Sequence, residues 1–188
     1  MLFFWCALAA RAEVIDRIVA VVEGEIITLS DIRKEGQFRA ILGEKPIDDQ
    51  ALIKELIETK LTEHQILDSP SVDVSNEEVE VRIQQLKLQP GVDSDALRNA
   101  VRRRIRIEEF FDARFRQLIR PTDDEIRKYY EEVFVPEARK RGLQSIPLLT
   151  EPEMYNAIRE NVIQEKLNRD VEAWLEAIRR RSNIEIFQ

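Results

Sequence analysis

Apolar residues recur at spacings of three and four through most of this chain, and that period commits it to amphipathic helices. The clearest stripe belongs to a helix that we predict to start at Asp48 or Asp49 and to end before Pro70. Its apolar face consists of Leu52, Ile53, Leu56, Ile57 and Leu61, continued by His64 and Leu67. With only 5 Gly and 7 Pro in 188 residues, few breaks interrupt such helices, so the predicted fold class is mainly α.

Two further helix starts carry capping boxes, in which a hydroxyl and a carboxylate three residues apart accept hydrogen bonds from each other's backbone N–H groups. Ser75 with Glu78, and Thr122 with Glu125, have this spacing. The first box predicts a helix whose inward residues are Val79, Ile83 and Leu86. The second predicts a helix that ends before Pro136 and carries Tyr129, Tyr130 and Phe134.

The remaining helices are predicted from stripes alone. A first helix spans 31–42, with Thr28 or Ser30 as its N-cap. A long helix covers 94–119, with an inward face of Leu97, Val101, Ile105, Phe111, Phe115 and Leu118. The last helix covers 153–181, with a stripe of Ile158, Val162, Leu167, Val171, Trp174, Leu175 and Ile178.

Strand patterns occur at both ends of the helical region. Residues 14–22 are rich in β-branched side chains, and 26–28 form a second short run. Gly24 lies between them and accepts the positive φ of a tight hairpin turn. Residues 184–187 alternate between apolar and polar. Because an isolated hairpin is marginal in water, we expect the C-terminal strand to add to it as a small antiparallel sheet.

The first twelve residues are typical of a secretory signal peptide. An apolar run over 2–10 is followed by Ala10-Arg11-Ala12, which predicts cleavage before Glu13 and export. A buried strand or a short anchor helix is the alternative, since a membrane-spanning helix needs about 20 apolar residues. The single cysteine, Cys6, lies in this segment, so we expect a mature chain with neither a disulfide nor a thiolate nucleophile.

The sequence shows no pattern typical of a catalytic or metal centre. His64 is the only histidine, and a packed or boundary position is favoured over a zinc site for it. Acidic pairs that resemble acid/base catalysts all stand at helix starts, where capping explains them: Asp48-Asp49, Glu77-Glu78 and Asp123-Asp124. We therefore predict that the protein is not an enzyme and uses neither a cofactor nor a metal.

A run of arginines raises the question of nucleic acid. Arg102, Arg103 and Arg104 lie within the predicted long helix, where consecutive residues point in different directions. The net charge of −7 also opposes general nucleic-acid binding, which needs a basic face. A solvated, salt-bridged helix surface is therefore the favoured interpretation.

The order of these elements resembles the core of the SurA family of periplasmic chaperones. Residues 16–22 and 27–31 are similar to the family's opening hairpin and first helix start. Residues 56–61 and 74–79 resemble its second helix and the start of its third, and 170–187, with Trp174, its final helix and closing strand. The resemblance implies a location in the periplasm.

SurA-type proteins usually carry one or two parvulin-type prolyl isomerase domains before the final helix, and this chain departs from that pattern. Only a connection, 136–153, occupies that place, far below the ~50 residues of an independent domain. We therefore divide the chain into a signal peptide (1–12), a chaperone region (13–135), this connection, and a C-terminal helix and strand (154–188) that complete the same core. No isomerase activity is expected.

The resemblance implies an ATP-independent chaperone. It would bind extended apolar segments of exported proteins, such as unfolded outer-membrane protein precursors, in a groove between the N-terminal helices and the C-terminal helix. The candidate binding residues are apolar side chains beside or within the irregular connection: Tyr129, Tyr130, Phe134, Leu148 and Leu149. Burial of Leu148 and Leu149 in the helical core is an equal alternative.

Other functions remain open at this point. The main alternative is a prolyl isomerase-related assembly subunit that holds one fixed partner. We expect a protein that is not embedded in a membrane. Exchange of the C-terminal helix and strand between two copies would give a domain-swapped homodimer, which is a second open question.

Overall fold

The fold of the described residues is mainly α, with one small antiparallel sheet, as the sequence predicts. The computed structural model describes residues 16–67, 73–86, 94–143 and 145–187. The predicted signal peptide at 1–12 and the first residues of the predicted opening strand lie outside this part of the chain.

Polar caps define the helix starts. The helices are α1 (Leu29–Ile41), α2 (Asp49–Leu67), α3 (Asn76–Gln85), α4 (Asp95–Arg114), α5 (Asp123–Tyr129), α6 (Val135–Lys140) and α7 (Pro152–Arg179). Both predicted capping boxes are confirmed, at Ser75 for α3 and at Thr122 for α5. Thr28 forms a third box with Asp31 at the start of α1. Local side-chain chemistry therefore sets where these helices begin.

The sheet joins the two ends of the described chain. Its strands are β1 (Ile18–Val22), β2 (Glu25–Thr28) and β3 (Ile184–Ile186), in the order β2–β1–β3. Glu23 and Gly24 both have positive φ, the backbone of a tight two-residue hairpin turn. β3 pairs antiparallel with β1, so the predicted addition of the C-terminal strand to the hairpin is confirmed.

The core of the described residues is divided into separate clusters, and three of them lie along α7, which is about 40 Å long at 1.5 Å per residue. Ile158 and Val162 pack with Ile126 near its start. Ile163 and Leu167 pack with Ile119 at its middle. Near its end, Ile178 joins the cluster formed by the sheet, α1 and α2. A further cluster lies between α3 and α4. Helix α7 thus connects otherwise separate parts of the fold.

An aromatic cluster holds α4 against α7. Trp174 of α7 contacts Phe110, Phe111 and Phe115, with ring centroids 5.7–5.9 Å apart. The Arg114 guanidinium lies 5.7 Å from the Trp174 ring, a cation–π distance. Tilted and edge-on aromatic contacts of this kind stabilise a joint beyond the area that they bury.

The arginine run of α4 forms a salt-bridged surface, as predicted. Arg104 donates to Glu35 at 2.7 Å and to Glu44 at 2.5 Å, which ties α4 to α1 and the loop after it. Arg102 donates to the Asn76 side chain at 2.6 Å. Neighbouring arginines thus reach different parts of the fold, because consecutive helix positions point in different directions.

The predicted helix end before Pro136 is wrong. A π-helical turn, Tyr130–Phe134, follows α5, and α6 then carries Pro136 in its first turn. Proline lacks an N–H and its ring clashes with the carbonyl four residues earlier in a regular α-helix. The wider turn accommodates it without ending the helix. Residues 136–140 of the predicted connection are therefore helical, and its last two residues, Pro152 and Glu153, begin α7.

Three residues predicted on apolar stripes are exposed. Leu118 is 78% exposed, and Ile119 takes the buried position instead, because α4 ends at Arg114 and a 3₁₀ turn changes the helical phase. Leu67, the last residue of α2, is 77% exposed while Ile66 is buried. His64 is also exposed, so it is not packed in the core.

Candidate functional site

An apolar groove of about 540 Å³ opens between α2 and the C-terminal strand. We call it the strand groove. Its apolar lining is formed by Val19, Ile53, Ile57, Ile184, Ile186 and Phe187. It lies between α2 and β3, with Arg179 of α7 at its border, whereas the resemblance implies a groove between the N-terminal helices and the C-terminal helix itself.

The register of β3 directs two isoleucines into the strand groove. Ile184 pairs with Val22 and Ile186 with Ala20, and directly opposed residues share a face of the sheet. Val22 and Ala20 are buried, so this is the core-facing side. Ile186 is nevertheless 59% exposed. The core-facing side of β3 therefore opens to solvent as an apolar surface.

Helix α2 supplies the opposite wall. Ile53 and Ile57 are four residues apart, so they lie on one face of the helix. Ile57 is buried against the sheet and Ile53 is partly exposed. The strand groove is therefore an open continuation of the main core cluster.

Positive charge surrounds the strand groove. Its polar lining consists of Arg17, Gln50, Lys54 and Arg179. Glu58 forms ion pairs with Arg179 and, at 3.8 Å, with Lys54, but no carboxylate of the described residues lines the groove itself. On a chain of net charge −7, this cationic rim favours a ligand that carries an acidic group.

The outer edge of β3 is unpaired within the described residues. The Phe187 N–H donates to the Val19 carbonyl at 2.8 Å, and the Asn183 carbonyl accepts from the Glu23 N–H at 3.0 Å. The backbone hydrogen-bonding groups of Asn183, Phe187 and, by alternation, Glu185 thus point toward β1. Because hydrogen-bonding direction alternates along a strand, the N–H and C=O groups of Ile184 and Ile186 point to the outer edge.

The residues predicted from sequence to bind a substrate lie elsewhere. Tyr129, Tyr130, Phe134 and Leu149 come together around Ile126 and Ile158, near the start of α7. Ile158 and Ile178 are 20 residues apart on this helix, so the aromatic cluster lies about 30 Å from the end of α7 that borders the strand groove.

Most side chains of this aromatic cluster serve packing. Tyr130 and Phe134 are stacked at 5.9 Å, and the Tyr130 hydroxyl donates to the Pro147 carbonyl at 2.8 Å. Leu149 packs into the cluster, whereas Leu148 is 65% exposed, so the two leucines take different positions. A cavity of about 660 Å³ beside them has a mixed lining of apolar side chains, such as Leu149, and charged ones, such as Asp123 and Arg127. Their role in binding a substrate stays a prediction.

Two side chains near this cluster have shifted pKa values, and local polar contacts explain both shifts. The Tyr155 hydroxyl donates to Asp123 at 2.6 Å, which raises the pKa of Tyr155. Lys166 lies 2.6 Å from Glu125, and this contact, with the capping bond from Thr122, lowers the pKa of Glu125. Within the described residues, no group of three or more His, Cys, Asp or Glu side chains is arranged to hold a metal ion.

The sequence predicts Ile53 and Ile57 on one helix stripe and Ile184 and Ile186 on a strand, but no pattern in it joins the two pairs into a site. The alternation at 184–187 was the available signal, since it puts two apolar residues on one face. That Ile53 and Ile57 lie across the groove from them depends on how α2 packs against the sheet, which no local pattern specifies.

The comparisons with known proteins add no identification. No protein-family model matches the sequence, and a search of curated proteins finds no match. Among the helices that the structure describes, none is long and apolar enough to span a membrane.

Proposed function

We propose that this protein is an ATP-independent chaperone that binds extended segments of unfolded polypeptides in the strand groove. The observation that carries the proposal is an apolar groove, open to solvent, beside an unpaired strand edge. The export-type first twelve residues and the SurA-like order of elements support a location in the periplasm. Unfolded outer-membrane protein precursors are then the expected clients.

The groove has the properties that reversible holding requires. Its apolar side chains gain about 25 cal/mol for each Å² that a client covers, irrespective of the client's exact sequence. Association and the ordering of a flexible chain cost several kcal/mol, so a short groove holds a client weakly. Weak equilibrium binding lets a client leave without an energy source, which is why the activity needs no ATP.

A client also contacts a second area, near the start of α7. Leu148 is exposed beside the aromatic cluster of Tyr129, Tyr130, Phe134 and Leu149. The distance of about 30 Å to the strand groove corresponds to about nine extended residues. An unfolded client is long enough to contact both areas, and two weak contacts on one chain reinforce each other.

The test is suppression of aggregation of a denatured β-barrel protein, followed by light scattering after dilution from urea. The protein at several-fold excess is expected to suppress scattering. Ile186→Glu should remove most of the effect, since it places a charge in the apolar groove. Leu118→Glu, at an exposed leucine outside the groove, is the matched control and should act like the unmodified protein. No suppression by the unmodified protein would eliminate the proposed function.

The cationic rim favours one alternative, an assembly subunit whose strand groove holds a single acidic partner. Affinity purification of the protein from its native cells distinguishes the two functions. One stoichiometric partner supports the subunit, and a mixture of unfolded clients supports the chaperone.

A further inference from the structure

The free edge of β3 offers main-chain hydrogen bonds next to an apolar surface. The N–H and C=O groups of Ile184 and Ile186 point outward, and no strand of the described residues pairs with them. The side chains of the same two residues point into the strand groove. A segment that pairs with this edge would satisfy the backbone groups and place its own side chains against the groove at the same time.

We propose that a client binds by adding a strand to the edge of β3, and that the preferred segment alternates apolar and polar residues and has an acidic side chain at one end. This inference rests on the proposed chaperone function and specifies its binding mode. Alternate side chains of a strand point to opposite faces, so only every second residue of the client meets the groove. Main-chain bonds supply affinity and the alternation supplies selectivity, as in other cases of strand addition.

The acidic end follows from the charges at the groove. Arg17, Lys54 and Arg179 line it, and Glu58, which pairs with Lys54 and Arg179, offsets only part of their charge. An Asp or Glu side chain of the client therefore gains an attraction that a neutral or basic segment lacks.

The same charges argue against a second copy of this chain as the occupant. Pairing of two β3 edges would bring two sets of these three cations together, and like charges in close contact oppose association. A foreign segment with an acidic residue has the complementary charge. The strand groove is therefore assigned to a client.

The decisive experiment uses backbone N-methylation, which removes an N–H donor without changing the side chain. The probe is a fluorescent eight-residue peptide with valine at alternate positions, threonine between them and a terminal glutamate, and its binding is followed by fluorescence anisotropy. Two derivatives carry N-methyl groups, one at the valines and the other at the threonines. Strand addition predicts that one pattern weakens binding by about tenfold or more while the other has little effect, because only one set of N–H groups faces β3.

Equal effects of the two N-methylation patterns would overturn strand addition, as would a failure of the unmodified peptide to bind. In both cases the aggregation assay decides separately whether the chaperone function stands. A peptide that binds only as it dissociates a dimer of the protein, seen by sedimentation, would show that a second copy occupies the groove and would also overturn the proposal.

The preference for an acidic residue in the client is tested separately. Glu→Gln in the peptide should weaken binding several-fold at low salt and have less effect at high salt. Lys54→Gln should reduce this difference between the two peptides. Lys128→Gln, a similarly exposed lysine outside the groove, should leave it unchanged. Equal binding of the Glu and Gln peptides to the unmodified protein would contradict the acidic preference.

Discussion

At the scale of single residues, the fold depends on a few fully buried side chains in small clusters. Ile126 and Ile158 are completely buried in one cluster near the start of α7. When one side chain of a small cluster is shortened, few other contacts remain to hold the cluster together. Each such residue therefore stabilises its region strongly, and exposed leucines beside it contribute little.

Ile158→Ala is expected to lower the free energy of unfolding by about 2–5 kcal/mol, because it leaves a cavity that the cluster can only partly fill. Leu148→Ala, at the exposed leucine beside the same cluster, should change it by less than about 0.5 kcal/mol. Urea unfolding followed by circular dichroism measures both. Similar losses for the two variants would show that the cluster does not hold the start of α7.

A second prediction at this scale concerns acid stability. The pKa of Glu125 is lowered first by Lys166 and then by its capping bond with Thr122. Because the folded state binds this proton less tightly than the unfolded state, the stabilisation is complete above the ordinary pKa of 4.5 and is lost as the pH falls through the lowered value. Glu125→Gln should therefore reduce the melting temperature at pH 7 and lessen the further decrease on acidification.

The control for this measurement is Glu172→Gln, which removes an exposed carboxylate from α7 outside any cap. Its melting temperature should follow that of the unmodified protein at pH 7. If Glu125→Gln and the control had the same profile between pH 7 and pH 3, the cap would contribute no measurable acid dependence.

The residues that could be predicted from sequence are those whose role depends only on their immediate neighbours in the chain. The sequence predicts Ser75 and Thr122 as caps, and the structure confirms both, because the capping box requires only residues three positions apart. The helical stripes predict buried positions for Leu118 and Leu67, but both are exposed. Both lie at or beyond helix ends, where a change of helical phase and the absence of a packing partner decide burial, and neither is visible in the local pattern.

At the scale of elements, β3 carries the candidate site, and its pairing makes a specific prediction for hydrogen exchange. The amides of Phe187 and, by alternation, Glu185 donate to β1 and should exchange at least about tenfold more slowly than those of Ile184 and Ile186. Exchange measured by NMR resolves single amides. Rapid exchange at all of these positions would show that β3 does not pair with β1 in solution.

The elements themselves were largely predictable, and the segment around Pro136 shows the limit. A proline normally marks a helix end, so the sequence predicted one there. The π-helical turn Tyr130–Phe134 lets α6 begin directly, and burial of Ala138 holds it in place. Tertiary contacts of this kind override a local signal, which is why the helical part of 136–153 was missed.

At the scale of the whole molecule, the strand groove exists because β1 and β3, at the two ends of the described residues, pair with each other. Ile53 of α2 and Ile186 of β3 are far apart in sequence, and they line one opening only through the pairing of β3 with β1. The sequence predicted that pairing but not the opening beside it. The helices of the core leave the last residues of β3 uncovered, and this depends on packing geometry rather than on periodicity.

The central claim is that unfolded clients bind in the strand groove, and site-specific photocrosslinking tests it most directly. A benzophenone side chain is placed at Ile186 in one variant and at Leu118 in another, and each is irradiated with a denatured β-barrel protein. Both positions are exposed, but only Ile186 lines the groove. Strong crosslinks from position 186 and weak ones from position 118 are predicted. Equal crosslinking from the two positions, or none from 186, would contradict the claim.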